Sequence, residues 1–291
     1  MTKINLFKKE FVYIIIPVHN RKQLTLSSLA TLHESGDLQR YHTLIVDDGS
    51  IDGTAIAIRE AYPTVKILQG NGNLWWTGAI AKGMEYAFQQ GAKYCIWLND
   101  DCIPSSDTLS LLVNYLERHP DTIVGAACYT PESNAPVENG FRGRKRLAAT
   151  PGEVVFVDGM SGYCVGIPSS VFQKIGVPDA KRFPHYGGDG MYILKATRAG
   201  FKACILGDAK VTLPGVIDPV HNFSSYLYTS TTSNLQSIFW NQKSPYYLPT
   251  QFFYHVEKHG VVIGMPLFLF KLSFWFSQWL QLQIVAWFRN G

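Results

Sequence analysis

Three side chains with oxygen donor atoms follow one short apolar run of the sequence. The stretch "CIWLNDDCIP" (95–104) places Asn99, Asp100 and Asp101 directly after an apolar run that ends at Leu98. Adjacent carboxylates repel each other unless a positive charge lies between them. Hard oxygen donors are the ligands that Mg²⁺ and Mn²⁺ prefer. The stretch therefore indicates a divalent-cation site, and the alternative is a cluster that only caps the next helix.

Polar clusters follow three other apolar runs in the first half of the chain. They are "PVHN" (17–20), "DDGS" (47–50) and "GNGNLWWTG" (70–78). Taken singly, "DDGS" is typical of a helix-capping turn, and "GNGNLWW" lacks the third glycine of a dinucleotide fingerprint. Two adjacent indoles in a glycine-rich loop indicate a pocket for a flat or ring-shaped ligand, with core packing as the alternative.

Strand and helix patterns alternate through this half and explain how the clusters are positioned. Short apolar runs predict strands, and longer periodic segments predict helices. The predicted strands cover 11–16, 42–47, 65–69 and 93–98, and the predicted helices cover 21–34, 51–62, 77–91 and 105–119. Such a βαβα series predicts a mostly parallel sheet with helices on both faces. Ligands bind at the carboxyl edge of such sheets, so we expect the four polar loops to converge there.

Composition and cysteine usage limit the class of protein. The chain has 291 residues, is 46% hydrophobic and 16% charged, and carries a formal net charge of +4. This predicts one large folded domain, alone or with an appendage, and it argues against nucleic acid as a partner. Five scattered cysteines predict neither a disulfide framework nor a zinc site and favour a reducing compartment. The first apolar run is too short for a signal peptide.

The ordered motifs resemble a known family. "IIIPVHNR", "LIVDDGSIDGT", "GNGNLWWTGA" and "WLNDDCIP" together resemble the nucleotide-sugar-binding half of a family 2 glycosyltransferase with the GT-A fold. "VDGMSGYCVGIPSSVFQKIGVPD" (157–179) and "FPHYGGDGMYILKATRAGF" (183–201) resemble acceptor-side segments of bacterial members, including rhamnosyl- and galactofuranosyl-type transferases. The resemblance covers roughly residues 11 to 206, and its strength lies in the order of the motifs.

The resemblance implies a fold, a domain plan and a reaction. It implies an α/β GT-A domain over 1–215, with a nucleotide-sugar half (11–120) and an acceptor half (121–215), followed by a helical region over 216–291. The implied reaction is inverting, metal-dependent transfer from a dTDP-, UDP- or GDP-linked sugar to a glycan or lipid-linked acceptor, in bacterial polysaccharide, O-antigen or capsule synthesis. The alternatives are a sugar-nucleotide-binding protein without activity and a nucleotidyltransferase, although "PVHNRKQ" lacks the basic glycine-rich loop of the latter.

The resemblance also implies the donor-side residues. Pro17, His19 and Asn20 would line the base and ribose, and Asp47 or Asp48 would accept hydrogen bonds from them. Thr77 and Gly78 would begin a helix whose free N–H groups meet sugar or phosphate oxygens. The complete predicted donor set is Pro17, His19, Asn20, Asp47, Asp48, Asn73, Trp75, Trp76, Thr77, Gly78, Asn99 and Asp100.

Residues 99–101 stand at the family's DxD motif. Asp101 is therefore the predicted ligand of Mg²⁺ or Mn²⁺, and Asp100 is predicted to face the ribose or sugar. Asn99 replaces the first aspartate of the motif, which predicts weaker metal binding than a carboxylate pair gives. His221 is a further predicted metal ligand, with an ordinary surface histidine as the alternative.

Asp189 in "HYGGDGMY" is the predicted general base, by resemblance. Flanking glycines allow close approach of a ligand, and a simple helix cap is the alternative. Many relatives carry an acid two positions later, where this chain has Met191, which leaves Asp189 as the lone predicted base. The predicted acceptor contacts are Gly159, Met160, Ser161, His185, Tyr186 and Gly188.

The last part of the chain is strongly apolar. Residues 261–288 are long enough to span a bilayer, but polar side chains at 271, 277, 278 and 281 fall within one helical arc of about 120°. This pattern predicts a helix at a membrane interface or in a homodimer seam, or else one packed on the catalytic domain. The basic stretch "FRGRKR" (141–146) predicts either a solvated hairpin or a contact with anionic lipid or a diphosphate-linked acceptor. We therefore expect a cytoplasmic protein, peripheral on the inner face of the cell membrane.

Overall fold

The computed structural model describes residues 9–214, 223, 226, 227 and 234–290, without the side chains of 285–290. These residues fall into two compact units. One lies within Met1–Pro184 and Gly188–Gly215, and the other lies within His185–Gly187 and Val216–Gly291.

The first unit alternates strands and helices. Its strands are β1 (Val12–Val18), β2 (His42–Asp47), β3 (Lys66–Gln69), β4 (Tyr94–Leu98), β5 (Ile103–Pro104), β6 (Thr122–Tyr129), β7 (Pro136–Val137), β8 (Gly140–Arg142), β9 (Lys145–Leu147), β10 (Val154–Phe156), β11 (Gly159–Met160), β12 (Cys164–Pro168) and β13 (Lys202–Thr212). Its helices are α1 (Lys22–Glu34), α2 (Asp37–Arg40), α3 (Thr54–Ala61), α4 (Trp75–Gln89), α5 (Thr108–Arg118), α6 (Ser169–Ile175) and α7 (Gly188–Arg198).

The main sheet is mixed. Its strand order is β10-β13-β6-β12-β4-β1-β2-β3, with β5 paired to β13 and β7 paired to β6. The β4-β1-β2-β3 half is parallel, as the βαβα pattern predicts. Strand β12 lies antiparallel between β4 and β6 and joins this half to the parallel pair of β6 and β13. The predicted α/β class is therefore confirmed. The antiparallel strands of the sheet were not predicted.

Strand β12 determines which segments meet at the carboxyl edge of the sheet. Because it runs antiparallel to β4, its first residue, Cys164, pairs with Leu98, the last residue of β4. Residues 161–163 therefore lie beside the acidic loop that follows β4. Before β12, the chain forms a separate three-stranded sheet in the order β11-β8-β9.

The core lies between the sheet and the helices. Ile15, Leu44 and Trp97 on neighbouring strands are fully buried. Helix α4 packs closely on β1, because a Cβ atom at Gly83 would lie 2.4 Å from Cγ2 of Ile15. This packing fixes the N-terminus of α4 beside the carboxyl edge of the sheet.

The second unit is helical where it is described. Its helices are α8 (Leu235–Phe239), α9 (Leu248–His259) and α10 (Val261–Asn290). Trp275 of α10 packs in a cluster with Phe223, Phe239 and Tyr246. By length and composition alone, the stretch Val261–Ile284 could cross a membrane, and most of it is not buried within the protein.

Candidate functional site

The loops that follow β1 and β2 are tied to each other. The amide of Asn20 donates to Ser50 Oγ at 2.8 Å, and Asn20 Oδ1 accepts from the amide of Ile51 at 2.8 Å. His19 Nδ1 lies 2.6 Å from the carbonyl oxygen of Asp48. Asn20 has φ 53°, a left-handed conformation that asparagine tolerates better than most residues. The predicted base-binding residues after β1 are therefore held in place by the β2 loop.

Pro17 lies within β1, where it pairs with Val46 of β2. Its side chain is partly buried, whereas His19 and Asn20 are exposed. The structure thus brings these three residues to one edge, with the two polar side chains open to solvent.

Asp47 and Asp48 differ in their hydrogen bonds, a difference that the sequence left open. Asp48 accepts from three backbone amides of the glycine-rich loop, those of Gly72 (2.8 Å), Leu74 (2.8 Å) and Trp75 (2.9 Å). Its side chain therefore fixes the loop. Asp47 accepts from the amide of Ser50 through Oδ1, whereas its buried Oδ2 has no partner among the described residues. Asp47 is thus the carboxylate that keeps an unused acceptor atom, within a fully buried side chain.

The amides of Thr77 and Gly78 are already used, so the prediction that they are free for a ligand is wrong. Helix α4 begins at Trp75, and the amide of Gly78 donates to Leu74 within its first turn. The amide of Thr77 donates to the carbonyl oxygen of Pro184 at 3.1 Å. Thr77 Oγ1 is buried without a partner among the described residues.

The two indoles of the loop have different environments. Trp75 has φ 57°, an uncommon conformation for a large residue. The hydrogen bond from its backbone amide to Asp48 helps to hold this conformation. Trp76 donates from Nε1 to Asn99 Oδ1 at 2.7 Å and packs edge-on against Trp97. Asn73 is exposed, and its amide donates to Asn71 Oδ1 at 3.0 Å.

Asn99 links the acidic loop to the residues that precede β12. Its side-chain oxygen accepts from Trp76, and its amide donates to the carbonyl oxygen of Tyr163 at 3.0 Å. A Cβ atom at Gly162 would lie 2.6 Å from Cζ2 of Trp76, so the indole is in close contact with this backbone. Asn99, which stands where the motif has its first aspartate, is therefore held by hydrogen bonds to its side chain and to its backbone.

Arg21 supplies the positive charge between the two carboxylates. Its Nη1 lies 2.6 Å from Asp100 Oδ1 and 3.0 Å from Asp101 Oδ2. Asp100 also accepts from Thr25 Oγ1 at 3.3 Å. Burial raises the pKa of Asp100, and Arg21 opposes that shift. The side chain of Asp101 is 38% exposed, against 2% for Asp100, so Asp101 is the accessible carboxylate.

These residues fit a hydrated divalent cation better than a closed metal site. Among the described residues, no group of three or more His, Cys, Asp or Glu side chains is placed to hold a metal ion by itself. Mg²⁺ typically takes one or two carboxylates and completes its shell with substrate phosphates and water. The exposed Asp101 suits that role, whereas both oxygens of Asp100 already have protein partners. His221 lies outside the described residues.

Asp189 is held by backbone amides. Its Oδ2 accepts from the amide of Gly162 at 2.7 Å, and its Oδ1 accepts from that of Gly190 at 2.7 Å. Burial raises the pKa of Asp189, while these amides and the charge of Arg146 lower it. The carboxylate lies in the first turn of α7. This arrangement gives a carboxylate of fixed orientation and increased basicity, as a general base requires.

The predicted acceptor contacts have different environments. Gly159 and Gly188 are buried glycines in close contacts, because a Cβ atom would lie 2.7 Å from the carbonyl oxygen of Gly190 and 2.2 Å from Thr77 Oγ1, respectively. Ser161 is partly buried, and its amide donates to Asn139 at 2.8 Å. Met160 is 1% exposed.

Met160 is a core residue, which corrects its prediction as an acceptor contact. Its sulfur would lie 2.3 Å from a Cβ atom at Gly125, so the side chain fills the space above β6. His185 and Tyr186 belong to the second unit, where their rings pack at 4.6 Å. Tyr186 is 44% exposed, so its side chain is accessible.

The role of Arg21 was not predicted from the sequence. Its partners lie 79 and 80 positions away, so local spacing gives no sign of the contact. One signal was present, because "HNR" places a cation at the end of a strand that the sheet sets beside the acidic loop. Arg146, which acts on Asp189, was likewise noted only as part of a basic stretch.

The family comparison agrees with the order of the motifs. Residues 13–165 match the family model described as "Glycosyl transferase family 2". This is more than half of the chain and runs from β1 to the first residues of β12. No curated protein sequence matches the chain significantly.

Solved structures with a similar fold are glycosyltransferases. GalNAc-T7, crystallised with UDP, GalNAc and Mn²⁺, aligns with a TM-score of 0.61 at 14% identity over 89% of this chain and 52% of its own. A mannosyltransferase from Pyrobaculum calidifontis, in complex with GDP-Man and Mn²⁺, gives 0.54 at 17% identity over 75% and 60%. S. aureus TarS 1–349, in complex with UDP-GlcNAc, gives 0.53 at 13% identity over 75% and 63%.

These likenesses confirm the predicted GT-A-type fold. The chain spans less than two thirds of the length of each of these three proteins.

Proposed function

Because the chain belongs to glycosyl transferase family 2, we propose that it transfers a sugar from a nucleotide-diphosphate sugar to a hydroxyl group of a glycan or lipid-linked acceptor. One observation carries the proposal. The amide of Asn99 donates to the carbonyl oxygen of Tyr163, and the amide of the adjacent Gly162 donates to Asp189, so the acidic loop and Asp189 both contact residues 162–163. A donor diphosphate and an acceptor hydroxyl can therefore meet between them.

The donor would lie along the loops after β1, β2 and β3. Asp47 Oδ2 is an unused acceptor atom for a base or ribose donor group, and His19 Nδ1 contacts the carbonyl oxygen of the neighbouring Asp48. The solved neighbours that bind UDP, UDP-GlcNAc or GDP-Man support a nucleotide-linked donor. We keep UDP-, dTDP- and GDP-sugars as the candidate donors.

Asp101 would hold a divalent cation, Mg²⁺ or Mn²⁺. Its carboxylate is accessible and is balanced by the half-exposed Arg21. The cation would supply positive charge that stabilises the departing diphosphate. Neighbours crystallised with Mn²⁺ support this assignment.

The reaction would be a single displacement with inversion at the anomeric carbon. Asp189 takes the proton of the acceptor hydroxyl group as that oxygen forms a bond to the anomeric carbon. The bond between the anomeric carbon and the diphosphate oxygen breaks on the opposite face, and the nucleoside diphosphate keeps its electron pair. Asp189 then releases the proton to solvent. The amides of Gly162 and Gly190 keep the carboxylate in one orientation throughout.

The membrane assignment rests on helix α10. Many of its apolar side chains are exposed, including Val262 at 87%, Ile263 at 57%, Phe270 at 72% and Phe274 at 51%. Exposed apolar surface of this extent indicates a partner surface. We propose that α10 lies in the interface of the inner leaflet of the cell membrane, with the catalytic unit in the cytoplasm. All five cysteines are free thiols, in agreement with a reducing compartment. A lipid-linked acceptor in polysaccharide, O-antigen or capsule synthesis suits this location.

Nucleotide release tests the transferase assignment. The purified full chain is given UDP-, dTDP- and GDP-sugars with Mn²⁺ or with a chelator, and released nucleotide is measured. We expect one donor class to turn over in a metal-dependent way and Asp189→Asn to lower the rate by about 10²–10⁴-fold. Asp121→Asn is the matched control, because its exposed carboxylate pairs with Lys202 at the surface and accepts from Thr122 Oγ1. An unchanged Asp189→Asn enzyme would indicate a different base, and absence of turnover with every donor would leave the sugar-nucleotide-binding alternative.

Vesicle flotation tests the membrane assignment. We expect the full chain to float with phospholipid vesicles. The Val262→Asp/Phe270→Asp variant should stay in the bottom fraction of the gradient. A protein that stays unbound and elutes as a dimer, which the double variant converts to a monomer, would instead assign α10 to a homodimer seam.

A further inference from the structure

The β8–β9 hairpin carries a concentrated positive charge. Arg142, Arg144, Lys145 and Arg146 lie within five positions, and all four side chains are exposed. Gly143, with φ 59°, makes the turn between the strands. Four exposed cations on so short a segment form a positively charged surface that attracts anions.

The described part of the chain offers these cations no carboxylate as an ion-pair partner. Arg142 donates to the carbonyl oxygen of Phe156, and Arg146 donates to that of Glu138 at 3.0 Å. Asp158 accepts from the backbone amide of Gly143 at 2.6 Å and so holds the turn. Two guanidinium groups are thus oriented by backbone, and the charge of the hairpin remains available.

The hairpin packs against the backbone near the candidate base. Strand β8 pairs with β11, with Gly159 opposite Phe141. A Cβ atom at Gly159 would lie 2.5 Å from Cζ of Phe141, and one at Gly190 would lie 3.4 Å from its Cε1. The ring of Phe141 therefore packs against the backbone at both Gly159 and Gly190. The charge of Arg146 also reaches Asp189, where it lowers the pKa of the carboxyl group.

We propose that the β8–β9 hairpin binds the diphosphate of a lipid-linked acceptor, so that a hydroxyl group of the attached sugar reaches Asp189. The inference rests on the proposed function and deepens it by naming the chemical class of the acceptor. Arginine and lysine bind phosphate oxygens strongly, and arginine does so with two parallel hydrogen bonds. The donor diphosphate is assigned to the acidic loop, so the hairpin serves a second anion.

A binding experiment on the full chain tests this inference without turnover. The probes are dodecyl maltoside micelles alone, micelles doped with farnesyl diphosphate, and micelles doped with phosphatidylglycerol to equal total charge. The variant is Arg144→Gln/Lys145→Gln, at the turn and away from Asp189. The matched control is Arg59→Gln/Arg118→Gln, which removes two exposed charges from helices α3 and α5.

We expect wild type and the control to bind farnesyl diphosphate micelles at least about tenfold more tightly than either other micelle, and the hairpin variant to lose most of this preference. Circular dichroism melts check that all variants remain folded. Equal loss in the hairpin variant and the control, or equal binding to phosphatidylglycerol, would overturn the inference. Nucleotide release without acceptor, measured on the same samples, reports separately on the proposed function.

Discussion

The molecule holds two carboxylate sites at one sheet edge, and they are neutralised in different ways. Asp100 and Asp101 share the side chain of Arg21, which is 43% exposed. Asp189 is held by the backbone amides of Gly162 and Gly190. A long side chain can exchange for another cation, whereas backbone amides stay fixed. The first arrangement therefore suits reversible metal and donor binding, and the second suits a base that must keep its orientation.

Loss of Asp101 should produce the largest effect on the acidic-loop side. We expect Asp101→Asn to lower Mn²⁺-dependent nucleotide release by about 100-fold, because it removes the accessible anionic ligand. Asp107→Asn, an exposed carboxylate six positions later, is the control. If raising the Mn²⁺ concentration did not restore any of the rate, Asp101 would have a role other than metal binding.

Loss of Arg21 should affect stability more than chemistry. Arg21→Gln leaves the buried Asp100 without its counter-charge, and we expect the free energy of unfolding to fall by about 2 kcal/mol. Urea denaturation measures this loss, and Asp100→Asn in the same chain should recover part of it. Equal stability of Arg21→Gln and wild type would show that the ion pair of Arg21 and Asp100 contributes nothing to the free energy of unfolding.

Trp76 connects the two sites and allows a finer test. Trp76→Phe removes the hydrogen bond to Asn99, which corresponds to about 1 kcal/mol. We expect kcat/KM to fall about threefold to tenfold, with a smaller change in donor affinity. Trp240→Phe, at an indole that is 63% exposed, should change neither quantity.

The smallest predicted effect is a shift of the pH profile. Asp189 is active as a base only when it is deprotonated, so activity falls as pH drops through its pKa. Burial raises the pKa of this carboxyl group, whereas the amides of Gly162 and Gly190 and the charge of Arg146 lower it. Arg146→Gln should therefore move the acidic limb of kcat/KM to higher pH, and Arg146→Lys should not. A limb that moves to lower pH would contradict the assignment.

Sequence patterns predicted the parallel half of the sheet because apolar runs and loop residues alternate there. They did not predict that β12 would lie antiparallel between β4 and β6, because "CVGIP" is buried on both faces and carries no directional signal. Only pairing across the sheet places Gly162 beside the acidic loop. The fold class was thus predictable, whereas the neighbours of its central strands were not.

The candidate site was predictable by residue type but not by partner. The acidic loop and Asp189 were identified, yet the pattern did not separate Asp47 from Asp48, because both lie at the end of one buried strand. The loop that Asp48 holds and the Arg21 pair depend on contacts between distant segments. Thr77 was predicted to have a free amide because the helix start was placed two residues too late.

Separable roles for the two carboxylate sites are the central claim, and one calorimetric comparison tests it most directly. Binding of UDP, dTDP and GDP is measured with and without Mn²⁺ for wild type, Asp101→Asn and Asp189→Asn. We predict that Asp189→Asn keeps Mn²⁺-dependent nucleotide binding within about twofold of wild type, because its carboxylate acts on the acceptor. Asp101→Asn should lose the Mn²⁺ dependence. Intact Mn²⁺-dependent binding in Asp101→Asn, or its loss in Asp189→Asn, would contradict the division of roles.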